Sequence, residues 1–256
     1  MGKIITIANQ KGGVGKTTTA LNLGASLSIE GKKVLLVDSD PQGNLTTGVG
    51  IERSNLELSL YDLYVDSPSP HHVKIKTNFD NIWIIPSTID LVGVEVELVH
   101  RQNREFILRN ILSSVVSDFD YLIIDAPPSL GLLTLNCFVA AHSLLIPVQC
   151  EYYALEGLGL LMKTFELVKS KLNPDLKIEG ILLTMFDGRN TLSRQVAEEV
   201  RNFFGKKVYN TVIPRNVTLA EAPSHGKPAV FYDIRSKGSQ SYLSFAMEFL
   251  NEESFR

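Results

Sequence analysis

Lys11-Gly12-Gly13-Val14-Gly15-Lys16-Thr17-Thr18-Thr19 is the stretch on which the fold of this 256-residue chain turns. The apolar run Ile4-Ile5-Thr6-Ile7-Ala8 precedes it, and Asn9 and Gln10 enter the turn. Ala20, Leu23, Gly24 and Leu27 follow at the spacing of one helical face. A strand, a glycine turn and a helix in that order make a phosphate cradle, because backbone N–H groups converge there and the helix adds its positive end. Gly12, Gly13, Val14 and Gly15 supply the cradle, and Lys16 is placed to reach β- and γ-phosphates. Thr17, beside Thr18, offers its hydroxyl to Mg²⁺. The plainer alternative is a glycine-rich turn with two surface lysines, against which the strand, the helix and GKTT stand together.

The common pattern G-x-x-x-x-G-K-[ST] requires glycine at position 10, where this chain has Gln10, and it has no counterpart of Lys11. Lys16 already serves the chain's own nucleotide, so Lys11 is a cation able to reach a nucleotide held by a facing subunit. K-G-G-V-G-K-T-T-T resembles the deviant Walker A loop of the ParA/MinD family of ATPases. That resemblance implies ATP and Mg²⁺ as ligands, hydrolysis to ADP and phosphate, and face-to-face homodimers with two ATP molecules between the subunits. It makes Lys11 and Lys16 catalytic as well as nucleotide-binding.

Two further acids stand where such a site needs them. Lys33-Val34-Leu35-Leu36-Val37-Asp38 reads as a buried strand, and Ser39-Asp40-Pro41-Gln42-Gly43-Asn44 as the turn after it. Acids at the C-terminal end of a parallel strand face the crevice where open α/β sheets bind ligands. The segment resembles the family's first switch, which implies that Asp40 orients the attacking water; an aspartate closing an Asx turn is the bland alternative. Tyr121-Leu122-Ile123-Ile124-Asp125 has the form of a Walker B strand, and Asp125 is the candidate for Mg²⁺, through a bound water, rather than a mere capping aspartate. Asp125-Ala126-Pro127-Pro128 resembles the family's second switch.

The remaining pattern extends the same architecture. Apolar strands are predicted at 81–87, 143–148, 178–186 and 208–213, and helices at 151–172 and 191–204. A long surface helix, with or without a break, is expected from Val94 to about Ser117, its charges forming a solvated face. Ser67 to His72 reads as an exposed loop, whose adjacent histidines suit solvent better than a metal. These elements predict an α/β fold, a P-loop NTPase with a mostly parallel sheet of about seven strands and helices on both faces, spanning 1–256 as one domain. Pro214-Arg215-Asn216 and Glu221-Ala222-Pro223-Ser224 resemble further family segments; the first implies that Pro214 and Asn216 line the adenine pocket.

Composition narrows the class. Hydrophobic residues at 44% and charged residues at 21% are those of an ordinary soluble globular protein, and no apolar run approaches the roughly 20 residues that cross a bilayer. Cys137 and Cys150 are too few and too far apart for a zinc or iron–sulfur site and read as buried thiols. A first strand at the very start leaves no room for a signal peptide, so a cytoplasmic protein is expected. The acids near the end, Glu248, Glu252 and Glu253, would be repelled by an anionic bilayer, which argues against a membrane-binding terminal helix. Within the family the chain therefore resembles the short chromosome-partitioning type. That type implies nucleoid association, non-specific DNA binding by the ATP dimer and release when a ParB-type partner stimulates hydrolysis. Arg189 falls at a DNA-contacting position of the family, whereas Thr218 stands where it has a second such contact. Lys206, Lys207, Arg235 and Lys237 could compensate, or form an ordinary solvated face. A net charge of −3 confines any DNA contact to a local patch. The alternative function is a positioning ATPase for a protein cluster or organelle that uses the same switch without DNA.

Overall fold

Along the central strands neighbouring residues are buried on opposite faces of one sheet, so each face carries a core. Ile4, Leu35, Val37, Leu122, Ile124 and Leu144 point into one, and Ile5, Ile7, Leu36, Ile123 and Leu145 into the other. Strands apolar on both faces demand helices above and below. The structure, a computed structural model, describes residues 2–151 and 154–254.

The strands are β1 (Lys3–Ile7), β2 (Val34–Asp38), β3 (Ile75–Lys76), β4 (Ile82–Ile85), β5 (Tyr121–Asp125), β6 (Ser143–Gln149), β7 (Lys177–Phe186) and β8 (Val208–Pro214), in the sheet order β3-β4-β2-β5-β1-β6-β7-β8. All pair in parallel except β3, a two-residue edge strand antiparallel to β4. That short strand is the one beyond the seven expected, and two residues carry no periodicity to read. Ile7 of β1 and Asp38 of β2 both lie opposite Asp125 of β5, which brings three strand ends to one edge.

The helices are α1 (Lys16–Ile29), α2 (Asn44–Gly48), α3 (Leu60–Val65), α4 (Pro70–Val73), α5 (Val94–Glu97), α6 (Ile107–Ser113), α7 (Leu132–Ala140), α8 (Ala154–Lys171), α9 (Thr191–Phe204), α10 (Val217–Glu221), α11 (Ala229–Tyr232) and α12 (Lys237–Ser254). Helix α1 is buried almost all round rather than on the one face its leucines suggest, because the sheet covers one side and α12 the other. Its polar residues are used: Thr19 shares a hydrogen bond with the Tyr242 hydroxyl at 3.0 Å, and Asn22 Oδ1 accepts from Ala229 N at 2.8 Å. Helix α12 spends its apolar face the same way, with Tyr242, Phe245 and Phe249 buried and Tyr209 of β8 set edge-on to Phe245. Among the described residues no helix is long and apolar enough to cross a membrane.

The structure resolves one open expectation and changes another. The helix expected over 94–117 is α5 and α6 separated by irregular chain, because Asn103 takes a left-handed φ of 56° and resets the direction. Two of its exposed acids also make contacts: Glu95 accepts from Leu132 N at 2.8 Å, and Glu97 from the Tyr61 hydroxyl at 2.8 Å. Residues 67–72 are not simply an exposed loop, since Ser69 caps α4 and Pro70 is buried in its first turn. The helix expected over 151–172 is described over Ala154–Lys171 as α8; Tyr152 and Tyr153 lie outside the described residues.

Candidate nucleotide and switch site

The loop between β1 and α1 is shaped by two glycines. Gly13 and Gly15 have φ of 73° and 91°, the left-handed region that a side chain would strain. Asn9 fastens its start, donating from Nδ2 to Pro147 O at 2.7 Å and accepting from Lys11 N at 3.0 Å. Thr184 on β7 fastens its middle, donating from Oγ1 to Val14 O at 2.8 Å. No side chain caps the start of α1, so its first N–H groups are open to an anion.

Lys16 is 7% exposed and its ammonium donates to Lys11 O at 3.3 Å. Burial lowers its pKa, while Asp125 and then Asp40 pull it back up. Lys11 points elsewhere: its Nζ lies 2.9 Å from Glu151 Oε2, beyond the end of β6. Glu151 also accepts from Gln149 Nε2, and the Arg215 guanidinium stands 3.9 Å away. An ion pair this exposed is worth at most about 1 kcal/mol, so Lys11 is released cheaply.

Across the strand ends, Asp38 and Asp125 are register partners. Asp38 is fully buried, and its Oδ2 accepts from Thr46 N at 2.8 Å and from Thr46 Oγ1 at 2.6 Å. Burial pushes its pKa up to about 6 against the pull of those bonds. The Thr46 hydroxyl in turn accepts from Ser87 N at 3.0 Å, and Ser87 Oγ donates to Asp40 O at 2.8 Å. Asp40 N donates to Asp38 Oδ1 at 3.3 Å, so the backbone of Asp40 is tied to both β2 and the end of β4. Asp40 Oδ1 closes the Asx turn that its sequence allows, accepting from Gln42 N at 3.0 Å. Its second oxygen makes no hydrogen bond among the described residues.

Asp125 differs. It is 1% exposed, and among the described residues neither carboxylate oxygen has a hydrogen-bond partner of normal geometry, although the Thr17 hydroxyl acts on it. Burial raises its pKa well above the carboxylate range, Asp38 adds to the rise, and Thr17 and Lys16 oppose it. A buried, unsatisfied carboxylate is costly in an apolar setting, and a bound cation removes the cost. The orphaned oxygens of Asp125 and the hydroxyl of Thr17 are an oxygen donor set of the kind Mg²⁺ takes.

Beside Gly15 and Thr18 a cavity of about 160 Å³ is lined by Thr184, Met185, Pro214 and Asn216. Asn216 has a structural duty as well, since its Oδ1 caps α10 through Leu219 N at 3.3 Å. Met185 lines this cavity with φ of 48°, a conformation that costs a non-glycine residue of order 1–3 kcal/mol. Residues 11–18, Asp40, Asp125, Pro214 and Asn216 thus gather at the C-terminal edge of the sheet. Arg189 is set apart on the loop after β7, 92% exposed. Its Nε and Nη2 each donate to Asp187 at 3.0 Å, and this pairing holds the Asp187 carboxyl down to about 2. Sequence reasoning misses Thr184, Met185, Ser87 and Glu151. The first two sit in an apolar strand, and only long-range geometry brings the others to the loop.

A family model described as an AAA domain matches residues 2–178. The sporulation initiation inhibitor protein Soj of Bacillus subtilis is 57% identical over 97% of this chain and 98% of its own length. The chromosome partitioning protein ParA of Myxococcus xanthus is 53% identical over 99% of this chain and 90% of its own. A crystal structure described as cobyrinic acid a,c-diamide synthase from Mycobacterium smegmatis, with a bound ATP analogue and magnesium, superposes with a TM-score of 0.89 at 38% identity, over 99% of this chain and 96% of that one. The cell division ATPase MinD of Pyrococcus furiosus superposes with a TM-score of 0.81 at 29% identity, over 98% of this chain and 99% of that one. An open glycine loop with its extra lysine, aspartates closing two adjacent strands and identity running through nearly the whole length place the chain in the ParA/MinD family of deviant Walker A ATPases, on its Soj/ParA branch.

Proposed function

We propose that the chain is an ATP-driven switch of chromosome partitioning, which dimerises around ATP, holds DNA as a dimer and lets go on hydrolysis. The observation that carries this reading is Lys11, which is held away from its own phosphate cradle by nothing stronger than the exposed Glu151. The cradle of residues 12–18 binds the phosphates through backbone N–H groups, and Lys16 neutralises the β- and γ-oxygens. Thr17 and Asp125 would hold Mg²⁺, which when bound screens charge on the transferring phosphoryl group. Asp40 orients a water whose oxygen attacks the γ-phosphorus, while the bond from that phosphorus to the bridging oxygen breaks and ADP leaves with it. Lys11 of the facing subunit adds the cation that completes the site, which ties turnover to dimerisation. Basal rates of roughly 10⁻⁴ to 10⁻³ per second, raised by a ParB-type partner, follow for a switch of this kind.

Lys11→Ala is expected to bind ATP as the wild type does and to remain monomeric with ATP in gel filtration. A dimer of wild-type strength would remove Lys11 from the interface. For DNA, Arg189 has to leave Asp187, and in a dimer two such arginines act together. Arg189→Glu should weaken DNA retention, lower the slope of log affinity against log salt by about two per dimer, and leave ATPase activity intact. An unchanged slope would refute the contact.

The alternative, a positioning ATPase without DNA, is favoured by one observation, the two-pronged hold of Asp187 on the Arg189 guanidinium, with Thr218 in place of a second cation. DNA binding with ATP and with ADP, at two salt concentrations, decides between them. Only an ATP-dependent, salt-sensitive shift supports partitioning.

A further inference from the structure

At the end of the sheet opposite the nucleotide site, the first residues of three adjacent strands, Lys3 of β1, Ser143 of β6 and Lys177 of β7, open a cavity of about 890 Å³. The five residues of β1 separate it from the phosphate loop by about 16 Å. Its volume lies in the range of small-molecule pockets, and Ile4, Val116 and Val139 give it an apolar wall.

One side chain is delivered there by an irregularity. The register between β6 and β7 runs Leu144 to Ile178 and then Leu145 to Gly180, so Glu179 is bulged out of the pairing. Bulges re-aim side chains, and Glu179, at 2% exposure, accepts from Ser143 Oγ at 2.5 Å and pairs with Lys3 Nζ at 2.6 Å. The neighbouring Gly180 leaves room for the Tyr209 ring, which a Cβ there would approach within 2.4 Å. Glu179 thereby fixes and neutralises Lys3. Arg109, Lys177 and Lys207 also line the cavity and have no ion-pair partner among the described residues; Asp175 is the one other carboxylate in the lining.

The neutral donors agree with this sign of charge. His142 Nδ1 accepts from Ile4 N at 2.9 Å, so the ring's hydrogen sits on Nε2 as a donor. Asn173 Nδ2 donates to the last carbonyls of α7 and the residue after it, Phe138 O at 3.1 Å, Val139 O at 3.2 Å and Ala141 O at 2.8 Å. Three carbonyls at this helix end, though not that of Ala140, are thereby turned to a donor instead of to the cavity. A concave site with excess cations on a chain of net charge −3 focuses a positive potential. We propose that this cavity binds a small molecule bearing more than one phosphate group. Duplex DNA, whose phosphates lie on a convex surface, would meet only the rim.

The test uses the full chain loaded with one equivalent of Mg-ADP, so that the phosphate loop is filled, and fructose 1,6-bisphosphate as the probe. The readout is the imidazole NMR signals of His142, identified with His142→Gln. Burial and the charges of Lys3 and Arg109 lower the His142 pKa, so an anion beside it should raise it. The expected result is a saturable shift of His142, at least tenfold tighter for the bisphosphate than for orthophosphate at matched ionic strength. The double variant Lys177→Glu/Lys207→Glu changes two exposed side chains, and it should weaken binding at least tenfold while Mg-ADP affinity holds. A His142 signal that does not move, equal response to orthophosphate, or undiminished binding by the double variant would each overturn the proposal. So would displacement of the bisphosphate by a short DNA duplex with the same His142 shift, which would make the face a nucleic-acid contact.

Discussion

Lys16→Ala should lower ATP hydrolysis by about 10²–10³-fold and weaken Mg-ATP binding in the same step, because one residue serves both. Lys16 is the one lysine or arginine in the buried set of the described residues, and it faces the strand ends that carry Asp38, Asp40 and Asp125. Without its ammonium, incoming phosphates would meet carboxylates with no buried cation between them. Phosphate release and calorimetric titration of Mg-ATP measure the two effects, with circular dichroism to show that the variant is folded. Hydrolysis at the wild-type rate in a folded variant would take Lys16 out of the site.

Asp40→Ala separates binding from turnover. A water-positioning carboxylate contributes roughly 10²–10⁴-fold, so the variant should bind ATP, dimerise and stay dimeric. Gel filtration with Mg-ATP should show a dimer that persists after the wild type has returned to monomer. A monomeric variant would contradict the assignment. Because Asp40 Oδ1 also closes a turn through Gln42 N, Asp40→Asn is the necessary companion. Asparagine keeps that acceptor and removes the charge, so it should trap the dimer as alanine does. Recovery of hydrolysis in Asp40→Asn would reduce Asp40 to a turn former.

Much of this site is legible in the sequence because its chemistry is local. The phosphate loop, its strand and its helix are consecutive, and Asp38 and Asp125 each close an apolar run that can only be a buried strand. What escapes notice depends on residues far apart in the chain. Ser87 reaches Asp40 O from 47 positions away, and Thr184 reaches Val14 O from 170. Neither residue type signals the role, since a serine after a strand or a threonine within one has many commoner uses. The 94–117 region misleads for a related reason. Its helical spacing is real, but Glu95 and Glu97 are drawn to the start of α7 and to Tyr61, and Asn103 turns the chain. Arg189 is visible only by resemblance, and its partner Asp187 becomes evident only once the loop's geometry is known.

Strand β7 runs unbroken from the distal cavity to the nucleotide site. Its ten residues carry Glu179 near one tip, Thr184 and Met185 near the other, and the Asp187–Arg189 loop immediately beyond. It lies between β6 and β8 and spans about 33 Å, with a bulge at Glu179 on the β6 side and register shifts along the β8 side. One strand thus carries the bulged Glu179, the Val14 anchor and the approach to the arginine loop, so the two ends of the sheet share a single covalent span.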